Sequence, residues 1–376
     1  MRWSAGLGER AAALRADLEN VDPDAFRDSV EQAAHDRFKR FLGGIDGYRR
    51  HPYRRSLTDP PIAFSKGATR LLDYGRCPEA AGSVQQGPAV LFAPSLVNRA
   101  HILDLAAERS LMRYLAARGV RAFLVDWGEP GPQERGLGLE DYILDRLGGC
   151  LDAARAANDG RPVAVVGYCM GGLLALALVQ VRREQVSGLA LLATPWDFHA
   201  DGGTQARLTA QLMAPAFPVF EALGSVPVDT LQMIFASLDP CLALRKFLAF
   251  SGYPQDSEKA RAFVALEDWL NDGVALPVEV ARACLLGWYG ENLPARGLWR
   301  VAGEIVDPAR LDLPTLIVVP ENDRIVPPAS ARALVGLIKG SRTLSPPAGH
   351  IGMVVGSKGR RHVWEPLAQW IEGLPA

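Results

Sequence analysis

Short apolar runs alternate with longer amphipathic stretches along most of the chain from residue 69 onward. Continuous apolar runs are typical of strands buried on both faces of a parallel sheet, whereas apolar residues spaced three to four apart indicate helices. The pattern predicts helices over residues 104–118 and 139–157. It predicts strands over residues 69–74, 89–93, 122–126, 163–166, 188–192, 315–319 and 342–344. This alternation favours an α/β fold built on a mostly parallel, doubly wound sheet.

Residues 1–64 follow a different pattern and form a predicted N-terminal helical arm. Apolar positions recur at helical spacing over residues 9–41, and Asp22 followed by Pro23 is a typical helix start, so two helices are expected. Gly43 and Gly44 are expected to end the second helix. The densest basic cluster of the chain follows at residues 49–55, and it is either a solvated connection or a phosphate-binding segment.

The long segment between the predicted strands at 188–192 and 315–319 lacks this alternation of strands and helices. It contains helical stretches at 208–213, 241–250 and 278–288. Because a structureless loop of this length is improbable in a compact domain, a helical cap over the strand ends is expected. The predicted division is an arm at 1–64, a core at 65–195 and 306–376, and a cap at 196–305.

The candidate nucleophile is Cys169, in the sequence Gly-Tyr-Cys-Met-Gly-Gly at residues 167–172. One apolar run precedes this sequence and another follows it, which predicts a buried strand, a sharp turn and a helix. That arrangement is a nucleophile elbow, in which glycines allow a tight turn and the middle side chain is exposed. A thiol in this position indicates acyl transfer through a thioester.

A catalytic triad on such a sheet requires an acid and then a histidine after the nucleophile. Asp323 follows the predicted strand at 315–319 and is the candidate acid, with Glu321 as the competing carboxylate. His350 follows the last predicted strand and is the candidate base. In this interpretation His350 activates Cys169, and Asp323 stabilises the orientation and positive charge of His350.

The oxyanion of acyl transfer requires backbone N–H donors. Met170, directly after the nucleophile, is the candidate for the first donor. The second is expected from the loop after the strand at 89–93, where Val97 or Leu96 is the candidate.

Composition narrows the environments in which the protein can act. Its 41 basic and 42 acidic residues give a net charge of −1, so no global positive field recruits nucleic acid or an anionic membrane. The N-terminus lacks the apolar core of a secretory signal and no apolar run is long enough for a transmembrane segment, so a cytoplasmic protein is expected. The five cysteines lack metal-ligand spacing, which predicts reduced thiols and no metal site.

Several segments together resemble the polyhydroxyalkanoate (poly-3-hydroxybutyrate) synthases, particularly the short members of that α/β-hydrolase family. Residues 167–172 match the family's G-x-C-x-G-G, residues 323–327 resemble D-H-I-V-P, and residues 349–351 match G-H-I. Residues 94–105 are similar to P-x-x-I-N-K-Y-Y-I-L-D-L. Asp126-Trp127 with residues 139–143 resembles S-W followed by L-x-D-Y-I, and residues 269–272 loosely keep W-N-x-D.

The resemblance also marks candidate substrate-pocket residues near these motifs. Arg99, His101 and Arg324 replace a lysine, a tyrosine and a histidine of the family pattern, and Asn98 keeps its asparagine. These four positions border the expected pocket.

The resemblance implies an acyltransferase of the poly(3-hydroxyalkanoate) polymerase type. Such an enzyme loads 3-hydroxyacyl groups from coenzyme A onto Cys169 and transfers them to a growing polyester, releasing coenzyme A. It implies no cofactor beyond this thioester substrate. A homodimer or a second synthase subunit, and a cytoplasmic location on polyester granules, are further expectations. Arg49, Arg50, Arg54 and Arg55 are then candidate contacts for coenzyme A phosphates or a partner.

Two other classes of function stay open at this point. A cysteine hydrolase resembling dienelactone hydrolases, a thioesterase or a polyester depolymerase would use the same elbow, although dienelactone hydrolases are shorter and lack the large cap. A noncatalytic granule-associated scaffold would keep the fold and use the arm, but it has no need for Cys169, Asp323 and His350 together.

Overall fold

The computed structural model describes residues 5–19 and 21–375, which form two compact units. The first unit contains the residues up to Tyr53 together with Pro240–Val264, and the second contains Arg54–Asp239 and the residues from Ala265 onward. The strands of the described residues are β1 Ile62–Lys66, β2 Thr69–Asp73, β3 Ala89–Ala93, β4 Arg121–Asp126, β5 Val163–Tyr168, β6 Val186–Leu192, β7 Ser225–Val226, β8 Leu276–Pro277, β9 Arg300–Val301, β10 Glu304–Ile305, β11 Thr315–Val318 and β12 Arg342–Leu344. The α-helices are α1 Ala5–Leu18, α2 Pro23–Arg50, α3 Leu111–Ala117, α4 Gly148–Ala157, α5 Met170–Val181, α6 Thr204–Met213, α7 Phe217–Leu223, α8 Val228–Ser237, α9 Leu242–Phe250, α10 Glu258–Asn271, α11 Val278–Arg282, α12 Pro328–Leu337, α13 Gly352–Val355 and α14 Glu365–Glu372. None of the helices in the described part of the chain has the length and apolar character needed to cross a membrane.

Eight strands of the second unit form one sheet in the order β1-β2-β4-β3-β5-β6-β11-β12. β1, β2 and β4 pair antiparallel, and the pairs from β4 to β12 are all parallel. β3, β5 and β11 are buried along their whole length, as expected for parallel strands covered on both faces. The predicted α/β-hydrolase sheet is therefore confirmed, and the carboxyl ends of β3, β5, β6 and β11 meet at one edge, where ligands bind in such folds.

The sequence analysis did not predict β1. This edge strand has mostly exposed side chains, and its apolar residues are limited to Ile62, Ala63 and Phe64. It pairs with β2 through a tight turn at Gly67, whose φ of +55° favours glycine.

The helix predicted over residues 104–118 is shorter in the structure, where α3 covers only Leu111–Ala117. Asp104 is fully buried and pairs with Ser110 in an isolated antiparallel bridge, so the chain between them cannot be helical throughout. Ser110 begins the helix by accepting a hydrogen bond from the N–H of Arg113, 3.0 Å away.

In the first unit, the predicted break at Asp22 and Pro23 is confirmed, since α1 ends at Leu18 and α2 begins at Pro23 with Asp22 as its cap. The predicted end at Gly43 and Gly44 is wrong, because α2 continues to Arg50. Gly44 is buried, and a Cβ there would overlap the carbonyl oxygen of Phe247 in α9. This glycine allows two helices to approach closely and does not end one.

The segment between β6 and β11 is mainly helical, as predicted. The helices predicted at 208–213, 241–250 and 278–288 correspond to α6, α9 and α11, the last of which continues into a π-helix at Ala283–Gly290. α7, α8 and α10 were not expected from the pattern. Within this segment Pro240–Val264 belongs to the first unit. The boundaries of arm, core and cap stay a prediction.

Candidate active site

Cys169 occupies the sharp turn between β5, which ends at Tyr168, and α5, which begins at Met170. Its φ of 55° and ψ of −127° are strained for a residue with a side chain, and such strain is concentrated at functional sites. The N–H of Cys169 donates to the carbonyl of Leu192 at the end of β6, 2.8 Å away. The neighbouring strand therefore holds the strained residue in place, and its thiol is partly exposed.

Two glycines after the nucleophile allow close contacts around the turn. A Cβ at Gly171 would overlap the carbonyl oxygens of Ala93 and Pro94, and a Cβ at Gly172 would overlap the side chain of Thr194. Because backbone carbonyls cannot move aside as a flexible side chain can, the start of α5 can pack against the end of β3 only with glycine at position 171.

His350 and Asp323 form a buried pair behind the nucleophile. Nδ1 of His350 lies 2.7 Å from Oδ2 of Asp323, and both residues are less than a tenth exposed. The second carboxylate oxygen, Oδ1, accepts hydrogen bonds from the N–H groups of Ile325 and Val326, each 2.9 Å away. Glu321, the competing carboxylate, is exposed. The loop after β11 thus presents Asp323, and not Glu321, to the histidine.

Tyr168 also holds His350. Its hydroxyl donates to the carbonyl of His350, 3.2 Å away, and the two rings stack with centroids 5.2 Å apart. The sequence analysis did not single out Tyr168. It occupies the x position directly before the cysteine in G-x-C-x-G-G, and that position was the sequence signal that could have identified it.

The charge state of His350 depends on its two partners. Burial by itself disfavours the imidazolium, but the negative charge of Cys169 and the hydrogen bond to Asp323 outweigh it and raise the pKa of His350 to about 10. A hydrogen bond between His350 and Cys169 contributes to the same rise. The arrangement can therefore hold a proton on the imidazole beside the sulfur.

The residues of both candidate oxyanion donors, Met170 and Val97, line the same cavity as Cys169. Met170 is the first residue of α5, so its N–H belongs to the first helical turn, where amides have no acceptor within the helix. Val97 lies on the loop after β3, and its N–H donates to Oγ of Ser95 at 3.3 Å. Leu96, the alternative, is buried in the same loop.

A cavity of about 330 Å³ lies over Cys169 within the second unit. Ser95, Val97, Cys169 and Met170 line it near the nucleophile, and residues of α6, α8 and the π-helix Ala283–Gly290 form much of the rest. Most of the lining is apolar, including Leu231, Phe235, Leu285 and Trp288. This volume and character are typical of a small-molecule site with few polar groups.

One of the four predicted pocket residues lines this cavity. Arg324 lies on its wall and pairs with Asp239, 2.8 Å away. Asn98, Arg99 and His101 are outside the lining. Asn98 forms a backbone bridge with Gly273, and Arg99 pairs with Asp272 and Glu129. His101 lies in a short 3₁₀ turn. Its pKa is lowered mainly by burial and, to a smaller extent, by the positive charge of Arg55.

The basic cluster at 49–55 is partly engaged in ion pairs. In the first unit Arg50 lies 3.0 Å from Asp46. In the second unit Arg55 binds the buried Asp104 at 3.0 Å, and Asp59 at 3.3 Å. Arg55 therefore helps neutralise a buried carboxylate.

Residues 88–357 match the sequence model of a family described as "alpha/beta hydrolase fold". The poly(3-hydroxyalkanoate) polymerase subunit PhaC of Allochromatium vinosum is 30% identical over 312 residues, which cover 82% of this chain and 86% of that relative. This chain belongs to the PhaC family of poly(3-hydroxyalkanoate) polymerase subunits. The PhaC of Haloferax mediterranei is 29% identical over 316 residues, or 83% of this chain, but the match spans only 63% of that longer protein. Among solved structures, MenH from S. aureus has a TM-score of 0.52 at 14% identity, covering 82% of this chain and 98% of MenH, which supports the fold alone.

Proposed function

We propose that this protein is a polyhydroxyalkanoate synthase that loads 3-hydroxyacyl groups from coenzyme A onto Cys169 and transfers them to a growing polyester. The observation that carries the proposal is the position of Cys169, on a strained elbow at the floor of an apolar cavity, beside the buried His350–Asp323 pair. Membership of the PhaC family supports the same substrate class.

In the loading step, Sγ of Cys169 attacks the thioester carbonyl carbon and its proton passes to His350. The carbonyl oxygen becomes an oxyanion that accepts hydrogen bonds from the N–H groups of Met170 and Val97. When the intermediate collapses, the bond to the sulfur of coenzyme A breaks and that sulfur takes the proton from His350. One thioester has then been exchanged for another, which is nearly balanced in free energy.

In the transfer step, His350 accepts the proton of the terminal 3-hydroxyl of the polyester. The resulting alkoxide attacks the acyl group on Cys169, an ester bond forms, and the bond between the acyl carbon and Sγ breaks. Sγ leaves as a thiolate and takes the proton from His350, which restores the starting state for the next loading step. In both steps Asp323, whose other oxygen accepts two backbone hydrogen bonds, orients His350 and stabilises the positive charge of the imidazolium.

The apolar lining of the cavity favours transfer over hydrolysis. The side chains of Leu231, Phe235 and Leu285 have no hydrogen-bond donor or acceptor, so this part of the lining cannot order an attacking water. Coenzyme A enters this proposal as part of the substrate, so the reaction needs no cofactor.

Assembly and location belong to the same proposal. Its curated relatives are named as polymerase subunits, which supports a second synthase subunit or a homodimer as the working form. A polyester product supports a location on granules in the cytoplasm.

The test is incubation of the purified protein with 3-hydroxybutyryl-coenzyme A. We expect free coenzyme A together with solvent-extractable polyester. Release of coenzyme A with monomeric 3-hydroxybutyrate alone would instead identify a cysteine hydrolase, the rival with the same elbow.

The matched control is Cys169→Ala, with Cys241→Ala as a second variant because Cys241 is an exposed thiol outside the cavity lining. We expect loss of turnover in Cys169→Ala and wild-type turnover in Cys241→Ala. Equal activity in the wild type and Cys169→Ala would contradict the proposal that Cys169 carries the acyl group. No turnover in the wild type would leave the noncatalytic scaffold.

A further inference from the structure

The loop that carries Val97 is held at both ends by buried tryptophan side chains. Nε1 of Trp127 donates to the carbonyl of Pro94, 3.0 Å away, and Nε1 of Trp269 donates to the carbonyl of Arg99, 2.8 Å away. Trp127 and Trp269 are 5% and 4% exposed. Each therefore places a hydrogen bond at one end of residues 94–99, and the bond from Trp127 is fully buried.

The chain after Trp269 makes further contacts with the same loop. The N–H of Val274 donates to the carbonyl of Val97 at 3.3 Å, and Asn98 pairs with Gly273 in an antiparallel bridge. The guanidinium of Arg99 lies 3.2 Å from the carboxylate of Asp272. Three consecutive residues of the loop thus bind one segment far away in the sequence.

This segment also contacts a wall of the cavity. The amide of Gln232 in α8 donates to the carbonyl of Leu270, 3.2 Å away, and a Cβ at Gly273 would overlap Val228, the first residue of α8. Leu231 and Phe235 of α8 line the cavity. Residues 269–274 therefore connect the wall of the cavity with the loop beside the nucleophile.

The direction of a backbone N–H is fixed by the position of its own loop, since the peptide group is planar. Val97 lies between the two carbonyls that the tryptophans bind, and it lines the cavity together with Cys169. We propose that Trp127 and Trp269 are positioning residues that hold the second oxyanion donor of the reaction. This inference rests on the proposed function, and it gives a role to two tryptophans that the triad does not use.

The test removes the two indole N–H groups while keeping aromatic rings in place, with Trp127→Phe, Trp269→Phe and the double variant. Trp364→Phe is the matched control, because its Nε1 donates to the carbonyl of Val354 at 2.9 Å and its side chain is 5% exposed, outside the cavity lining. A role limited to packing and stability would make the three single variants alike.

Two reactions of Cys169 distinguish damage to the oxyanion donors from damage to the triad of Cys169, His350 and Asp323. Acylation, followed as the burst of p-nitrophenol from p-nitrophenyl butyrate, forms an oxyanion, whereas alkylation by iodoacetamide displaces iodide from carbon and forms none. We expect each of Trp127→Phe and Trp269→Phe to slow acylation about 10- to 100-fold, as a misplaced donor does. The loss should appear in the rate constant of the burst at saturating ester, with the ester concentration that half-saturates the burst rate little changed. Alkylation of the Cys169 peptide, followed by mass spectrometry, is expected to keep its wild-type rate.

A further variant avoids the risk of misfolding. Asp272 is half exposed, so Asp272→Asn weakens the ion pair with Arg99 without opening the core. We expect about a twofold to fivefold loss of acylation and no change in alkylation. Asp312→Asn, which weakens the exposed pair of Asp312 with Arg183, is the control and should leave both rates unchanged.

Acylation in Trp127→Phe and Trp269→Phe equal to that in Trp364→Phe would overturn the inference, as would a parallel fall in alkylation. The ester reports acylation of Cys169 whatever the natural acyl donor is. Turnover of the ester without turnover of 3-hydroxybutyryl-coenzyme A would therefore contradict the proposed function. The acylation and alkylation rates of the tryptophan variants would still test the inference. No acylation by either donor would remove both.

Discussion

Two groups of residues serve Cys169. The triad side consists of Asp323 and His350, on loops that follow β11 and β12, two neighbouring strands of the sheet. The oxyanion side consists of Val97 and its loop, whose two ends are bound by Trp127 and Trp269. The two sides also differ in burial, since Asp323 and His350 are buried whereas Val97 is only half-buried.

This difference separates two ways of placing a reactive group. The order of the parallel strands brings the acid and the base to the nucleophile, so the triad side depends on the fold itself. The oxyanion side depends on a few hydrogen bonds between side chains and a loop, which substitutions can remove without changing the sheet. Changes on the triad side should therefore have large effects on the chemistry, and changes on the oxyanion side smaller and more graded ones.

The largest expected effect comes from Asp323→Asn. An amide at this position can donate a hydrogen bond to Nδ1 of His350, which favours the tautomer that cannot accept the proton of Cys169 through Nε2. We expect acylation to fall about 10³- to 10⁴-fold, measured as the burst with an ester or as release of coenzyme A.

The control for this change is Glu321→Gln, two residues away on the same loop, where the side chain is exposed. It should keep acylation within about twofold of the wild type, as expected for a surface substitution. A large loss of acylation in Glu321→Gln with a small loss in Asp323→Asn would show that Glu321, and not Asp323, is the acid of the triad.

The next largest effect is a loss of stability, expected where the start of α5 packs against the end of β3. Gly171→Ala places a methyl group against the carbonyl oxygens of Ala93 and Pro94, so it separates the elbow from the start of the oxyanion loop. We expect the free energy of unfolding to fall by about 1–3 kcal/mol in urea titrations, the usual cost of overpacking. Acylation should fall as well.

Gly336→Ala is the matched control for this substitution. Gly336 lies in α12, and a Cβ there meets no atom within 4 Å. Alanine in place of an exposed helical glycine should raise the free energy of unfolding by about 0.5–1 kcal/mol. Equal destabilisation by both substitutions would contradict the close contact at Gly171.

A pH effect of intermediate size is expected on the triad side. The pKa of His350 is raised from 6.5 to about 10 in the folded protein. A group whose pKa is higher in the folded state contributes stability that is complete below the unfolded pKa and is lost as the pH rises through the folded pKa. The His350 contribution should therefore decline between pH 6.5 and about 10.

Urea unfolding of the wild type and of Cys169→Ala across this range measures the contribution. After burial, which lowers the pKa, the negative charge of Cys169 is the largest influence on His350 and raises it, so Cys169→Ala should lose less stability over the same range. Parallel stability curves for the two proteins would contradict the coupling between the sulfur and the imidazole.

The triad side could be predicted from the sequence because its determinants are local. Cys169 and Asp323 each follow a buried apolar strand, and His350 follows the short edge strand β12, which pairs in parallel with β11. The order of these strands along the chain fixes where their carboxyl ends meet. The strands β3 to β6 and β11 were predicted because each is a buried apolar run. The assignment of the three residues to catalysis stays a prediction.

The parts that the sequence did not predict depend on contacts between distant residues. Gly44 allows a close approach to α9, yet in the sequence it resembles a helix end. The helix at 104–118 is shortened because Asp104 is held by Arg113 and Arg55, the latter 49 residues away. Trp127 and Trp269 stood out as motif residues, but their common target, the loop at 94–99, is visible only in the folded chain.

The smallest expected effect concerns the choice between Val97 and Leu96 on the oxyanion side. The N–H of Val97 is bonded to Oγ of Ser95 at 3.3 Å, and Ser95 lines the cavity. If Val97 is the donor, this weak bond competes with the oxyanion, so Ser95→Ala should raise the acylation rate about twofold to threefold. The control is Ser330→Ala, which removes another cavity-lining hydroxyl that accepts a backbone N–H, from Trp196 at 3.2 Å, and should not raise the rate. An unchanged rate in Ser95→Ala would favour Leu96, and a lower rate would mean that Ser95 supports the shape of the loop.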